Sequence, residues 1–273
     1  MSNDLKWMIS SDQQFPYQDD KMIALWFKVM KWFKPDVVDY LGDTDDQACY
    51  SKYTEGRSAE FLNLHKTDSR DLIVPMMRHE AKGARDFYTK TREMLPEAQL
   101  FSALGNHDVR IFNYVDAKLP DYINEVTPEA LWGLDSLGYE YIHYNELPKR
   151  RFGDIHVHHG LSIAATGSVR KDMEDLQVSL IRGHSHRIAS HLVKDFHYNS
   201  QYLYPFHENI DHNYTYTIWT GKPDVWITCW NQYNNSCVFV SKVSDILKSG
   251  WFQPESFDYT DWKQYKINTN NDG

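Results

Sequence analysis

Short apolar segments in this chain end again and again in a cluster of Asp, Asn, Gln or His, usually with a glycine beside it, and that recurrence restricts the fold more than any other feature. Residues 5–10 run into Asp12-Gln13-Gln14, and residues 36–41 into Gly42-Asp43-Thr44-Asp45-Asp46. Residues 100–104 lead to Gly105-Asn106-His107-Asp108, the alternating stretch 155–158 to His159-Gly160, and residues 178–181 to Gly183-His184-Ser185-His186. Apolar runs closed by turn residues are strand signals. Between the first two runs the period changes: Asp19 and Asp20 can cap a helix, Ile23, Trp26 or Phe27, Met30 and Phe33 share one face, and Pro35 stops it. Strand, helix, strand is the start of a right-handed parallel crossover. Open α/β sheets gather ligands beyond the carboxyl ends of their strands, so the five clusters are expected to converge.

Met77, Ala81, Ala84 and Tyr88 mark one apolar helical face, most simply core packing. Residues 214–219, 225–230 and 237–240 read as strands joined by Gly221-Lys222-Pro223 and by 231–236, which predicts a second, partly antiparallel sheet. The expected division is one domain over 1–248 and a polar, aromatic C-terminal extension over 249–273, mobile at its end. With 273 residues, 41% of them hydrophobic and 15% aromatic, a single α/β domain has material for a large core. A formal net charge of −9 argues against the broad basic track of a protein that grips long nucleic acid. Cys49, Cys229 and Cys237 have no metal-finger spacing and read as structural thiols of a reducing compartment. No apolar run approaches the roughly 20 residues of a bilayer span, so a soluble, cytoplasmic protein without a membrane partner is expected.

Asp, Asn and His side chains together offer oxygen and neutral imidazole donors, the set suited to a pair of first-row divalent ions. On these motifs the chain resembles the calcineurin-like metallophosphoesterase superfamily, whose pattern is D-x-H, G-D-x-x-D, G-N-H-[DE], a His followed by Gly, and G-H-x-H; the resemblance spans residues 12–186. It implies an α/β fold, a four-layer αββα sandwich of two mixed sheets flanked by helices. It also implies a dinuclear site, with Asp12, Gln14, Asp43 and His186 on one metal and Asp43, Asn106, His159 and His184 on the other. His107 would protonate the leaving oxygen and Asp108 would orient that imidazole, while Asp46 braces the site. Arg110, Arg182 and Arg187 lie beside motifs and are candidates to contact phosphate. Gln14 departs from the commoner His. A neutral amide oxygen shifts metal preference toward manganese or magnesium, with nickel, iron and zinc as alternatives.

The resemblance implies metal-dependent hydrolysis of phosphoesters. The acidic balance and the aromatic second half favour a phosphodiester or pyrophosphate bond in a nucleotide or a nucleic-acid end. The alternatives are a phosphomonoesterase or protein phosphatase, and a catalytically inactive binding scaffold, for which Gln14 is the best argument. Selectivity would reside in the segments 47–98, 109–150 and 161–177, the last containing Arg170 and Lys171. The motif placement also looks like compact phosphoesterases carried by bacteriophages, which would act in the host cytoplasm.

Overall fold

The computed structural model describes residues 6–18, 20–51, 77–79, 81–152, 155–162 and 168–184, and the strands 189–194, 203–208, 226–231 and 237–242. In chain order the named elements are β1 (Lys6–Ser10), α1 (Asp20–Phe33), β2 (Val37–Tyr40), α2 (Lys82–Met94), β3 (Gln99–Ala103), α3 (Arg110–Lys118), α4 (Pro128–Trp132), β4 (Tyr139–Ile142), β5 (Lys149–Phe152), β6 (Ile155–His158), α5 (Ser168–Leu176), β7 (Ser179–Arg182), β8 (Ala189–Lys194), β9 (Leu203–Glu208), β10 (Trp226–Asn231) and β11 (Cys237–Lys242).

Period-two alternation along β1 and β2 sorts the apolar side chains into two cores. Met8, Val38 and Tyr40 face α1 and α2, where Ile23, Phe27, Met30, Ala84, Phe87 and Tyr88 close over them. Trp7, Ile9, Val37 and Leu41 share a second core with Val157 of β6 and Ile181 of β7, so two sheets face one another. The helical spacing read over 20–33 thus becomes the buried face of α1. Lys34 takes a left-handed φ of 49° after the last turn, and Pro35 prevents continuation.

The protein is therefore mixed α/β with two sheets and helices. The first sheet has the order β11-β10-β1-β2-β3-β4, with β1 to β4 parallel. The second has the order β5-β6-β7-β9-β8, parallel across β6, β7 and β9. The strands near 225–240 do not found a separate antiparallel sheet: β10 pairs with β1, and β11 with β10, extending the first sheet. An uncovered β1 edge would present open backbone N–H and C=O groups, and this distant hairpin satisfies them with no local signal in the sequence. Residues 214–219 and the extension 249–273 lie outside the described residues. No helix among the described residues is long and apolar enough to cross a membrane.

A buried ion pair crosses the inter-sheet core. Asp39 on β2 accepts from Trp7 Nε1 at 2.9 Å and from Arg151 Nε of β5 at 3.1 Å, while the Arg151 guanidinium lies 3.8 Å from the centre of the Phe101 ring. Burial pushes the Asp39 carboxyl up to about 6 even though Arg151 pulls the other way. Asp39→Ala removes the buried partner of Arg151, leaving the largely exposed Glu140 at 3.8 Å as its remaining carboxylate, and is expected to cost about 3–5 kcal/mol in urea denaturation. A loss below about 1 kcal/mol, the range of an exposed pair, would contradict this role.

A hydroxyl ladder ties α2 to the end of β2. Tyr88 Oη donates to Thr44 Oγ1 at 3.0 Å, and Thr44 Oγ1 donates to Gln13 Oε1 at 3.2 Å. The turns after β1 and β2 are thereby anchored to a packed helix rather than left to solvent.

Candidate metal centre

Backbone bonds zip the turns after β1 and β2 together beyond the strands. Asp12 N–H donates to Gly42 O, and Gln14 N–H to Asp43 O, each at 2.8 Å. Gly42 has a φ of +96°, and a Cβ there would lie 2.6 Å from Gly105 N and 2.7 Å from His159 Nδ1, so only glycine lets the three segments approach. Gly183 N–H donates to His159 O at 3.0 Å, joining the turns after β6 and β7. His184 N–H reaches Asp12 Oδ2 at 3.1 Å and so links the two sheets.

Strain concentrates at these turns. Asp12, Gln14, Asp43 and His184 have left-handed φ angles of 58°, 50°, 52° and 80°. Four of the seven non-glycine residues with positive φ among the described residues are thus predicted metal ligands. Such conformations cost of order 1 kcal/mol or more and persist where the surroundings over-determine them, typically at functional sites.

The donor atoms converge on His159. Its Nε2 stands 3.0 Å from Asn106 Oδ1, 3.1 Å from His184 Nδ1 and 3.1 Å from Asp43 Oδ2. Adjacent ligands around one ion, at bond lengths of about 2.0–2.2 Å, lie roughly 3 Å apart. His159 Nδ1 donates to Leu41 O at 2.7 Å, which turns the Nε2 lone pair of the neutral ring into the cluster. Asp43 Oδ2 is buried and faces His159 Nε2. Asp43, His159 and His184 form a group able to hold a metal ion, and the asparagine oxygen completes a mixed N/O set.

Charge in the cluster is strongly biased. Burial works against a charged His159, but Asp43 and Asp12 overcome it and lift the imidazole to about 9. Burial, then the neighbouring His159, press His184 down to about 3. Burial opposes the charge on Asp43 too, yet His107 and His159 hold its carboxyl well below the usual range. Two carboxylates therefore draw one positive charge into a buried space, a condition that a divalent ion also meets.

Beside this cluster His107 is held on both ring nitrogens. Arg110 Nη2 can only donate, and it lies 3.0 Å from His107 Nε2, so Nδ1–H is the group that donates to Asp46 Oδ1 at 2.6 Å. Burial lowers the basicity of His107, but Asp43 and Asp46 outweigh it and raise the imidazole above its ordinary value. The orienting carboxylate expected at Asp108 is thus Asp46. Asp108 instead accepts backbone N–H bonds from Asp43 at 2.7 Å, Gly105 at 2.7 Å and Asp45 at 2.8 Å, which fixes the turns that present Asp43 and Asn106.

Arg182 is also reassigned. It is fully buried, and Nε, Nη1 and Nη2 donate to Gly183 O at 3.0 Å, Asp172 Oδ2 at 2.7 Å and Ser162 O at 3.0 Å. Every arm of the guanidinium is engaged, so it braces the His184 turn and is not presented to phosphate. Arg110 is one-fifth exposed and stays at the site edge, its Nη1 on Asp46 O at 2.8 Å. Arg170 and Lys171 make i,i+4 pairs with Glu174 and Asp175 on the exposed face of α5. Gln14 is fully buried on the Asp12 turn. His186 and Arg187 lie outside the described residues. Asp46 braces the site as its place in Gly-Asp-x-x-Asp suggests, and its partner, unforeseen in the sequence, is the His107 imidazole. The Asp172 clamp and the Leu41 carbonyl had no such signal.

No family model matches the chain. It is 27% identical over 193 residues to the Gene 54 protein of Mycobacterium phage D29, covering 66% of this chain and 68% of that protein. It is 25% identical over 193 residues to the Gene 54 protein of Mycobacterium phage L5, with the same coverage. Those names state no activity.

Proposed function

We propose that this protein is a divalent-metal-dependent phosphoesterase of the calcineurin-like type, with its two sheets and helices arranged as a four-layer αββα sandwich. The observation that carries the reading is the set of four donor atoms meeting around His159 Nε2 from the ends of β2, β3, β6 and β7. Asp43, Asn106, His159 and His184 would hold one ion, and Asp12, Gln14, Asp43 and His186 are the set for a second. Manganese suits so oxygen-rich a group, and such ions supply Lewis acidity toward phosphate oxygens and acidify bound water.

The chain's own chemistry centres on His107. Its Nδ1–H is committed to Asp46, so Nε2, 3.7 Å from Asp43 Oδ2, is the nitrogen that can hand a proton to a departing oxygen. Arg110, bonded to that nitrogen in the neutral ring, restrains the imidazole between turnovers and carries positive charge at the site edge. The acidic chain favours a compact phosphodiester or pyrophosphate substrate, a nucleotide or a nucleic-acid end, over a long polyanion. The phage relatives are in keeping with an enzyme that works in the host cytoplasm.

Hydrolysis of bis-p-nitrophenyl phosphate and p-nitrophenyl phosphate, each with manganese, magnesium, nickel or chelator, tests this reading. Diester cleavage with manganese, lost on chelation and restored by adding the metal back, is the expected result. Activity indifferent to chelator would contradict the metal, and a monoester preference would contradict the diester assignment.

A further inference from the structure

Large apolar side chains stand exposed at Tyr17, Ile123, Leu147 and Leu161 among the described residues. Three of the four lie on segments that build or touch the candidate centre. Tyr17 closes the Gln14 turn, its N–H on Gln14 O at 2.8 Å. Leu161 follows His159-Gly160, and Leu147 belongs to the segment that carries Tyr144. Single exposed apolar side chains are ordinary, and these three share short segments with residues of the centre.

Tyr144 completes this set. Its half-buried ring stacks on His158 at 6.1 Å between centroids and 28° between planes, and meets His159 edge-on at 5.9 Å and 65°. The ring therefore borders a donor of the metal cluster directly. Its position is also fixed. Gly160 N–H donates to His158 Nδ1 at 2.9 Å, so Nε2 carries the ring proton and shares it between Tyr144 O at 3.2 Å and Glu146 O at 3.1 Å. His158 is no metal ligand. It ties the turn holding His159 to the segment holding Tyr144.

We propose that Tyr144, positioned by His158, is the aromatic wall on which a nucleobase packs while its phosphate reaches the metal centre. The inference rests on the reading of the centre as phosphate-binding and adds the class of group attached to that phosphate. Stacking on an aromatic side chain tolerates any base, and it needs no basic track, in keeping with an acidic chain.

Calorimetric titration of the manganese-loaded full chain with thymidine 5′-monophosphate and with inorganic phosphate separates the two layers. The wild type is expected to bind the nucleotide about tenfold or more tightly than phosphate, a ratio in the range of one stacked base. Tyr144→Ala should erase that ratio and Tyr144→Phe should keep it, both with phosphate affinity and manganese content unchanged. Equal affinities for the two ligands in the wild type, or a Tyr144→Ala loss shared equally by both, would overturn the proposal. Diester hydrolysis by the same sample reports on the underlying reading: activity with equal affinities removes only the aromatic wall, whereas no phosphate binding and no activity removes both.

Discussion

Asp43→Asn is expected to fold normally and to bind manganese about 100-fold or more weakly than the wild type, with diester hydrolysis reduced to background. Asparagine tolerates the left-handed φ of 52° at this position and keeps a side-chain oxygen for the His107 N–H bond, 2.7 Å in the native site. What changes is Oδ2, the buried atom 3.1 Å from His159 Nε2. An amide NH₂ there presents protons where a lone pair is required. Manganese affinity measured by equilibrium dialysis, beside a thermal melt, checks both halves of the expectation. Wild-type affinity in the variant would mean that Asp43 is a turn residue and not a ligand.

His107→Ala should lower turnover without loss of metal. Its imidazole makes none of the close contacts that define the donor cluster, so manganese content should stay at the wild-type level. Turnover of bis-p-nitrophenyl phosphate should fall by roughly 10²–10⁴-fold, the usual weight of a positioned general acid. Asp46→Asn should lie between the two proteins, because the amide oxygen still accepts from Nδ1–H but no longer supports a charged ring. Parallel loss of metal and activity in His107→Ala would contradict the assigned role.

Much of the site was legible because ligand chemistry and strand ends coincide in the sequence. The runs before Asp12, Asp43, Asn106, His159 and His184 are strands, and α1 buries the face that its spacing announced. The helical face from Met77 to Tyr88 is also buried, with α2 continuing to Met94. What failed to show was interaction at long sequence separation. Nothing near residue 226 says that β10 will close the edge of β1, and nothing near Arg182 says that Asp172 and Ser162 will absorb its charge. Asp108 and Asp46 were confused for a related reason. Both are acidic and both lie in motifs, and only the path of the backbone decides which carboxylate meets three N–H groups and which meets an imidazole. Side-chain type was readable from the sequence, whereas partner choice was set by packing.

Manganese stoichiometry of the full chain, measured by equilibrium dialysis with low-temperature electron paramagnetic resonance on the same sample, decides whether the centre holds a pair of ions. About two equivalents per chain with exchange-coupled spins are expected of a two-metal centre bridged by one carboxylate, with loss of that signal in Asp43→Asn. Less than about half an equivalent in the wild type after loading, or binding that Asp43→Asn leaves intact, would contradict such a centre.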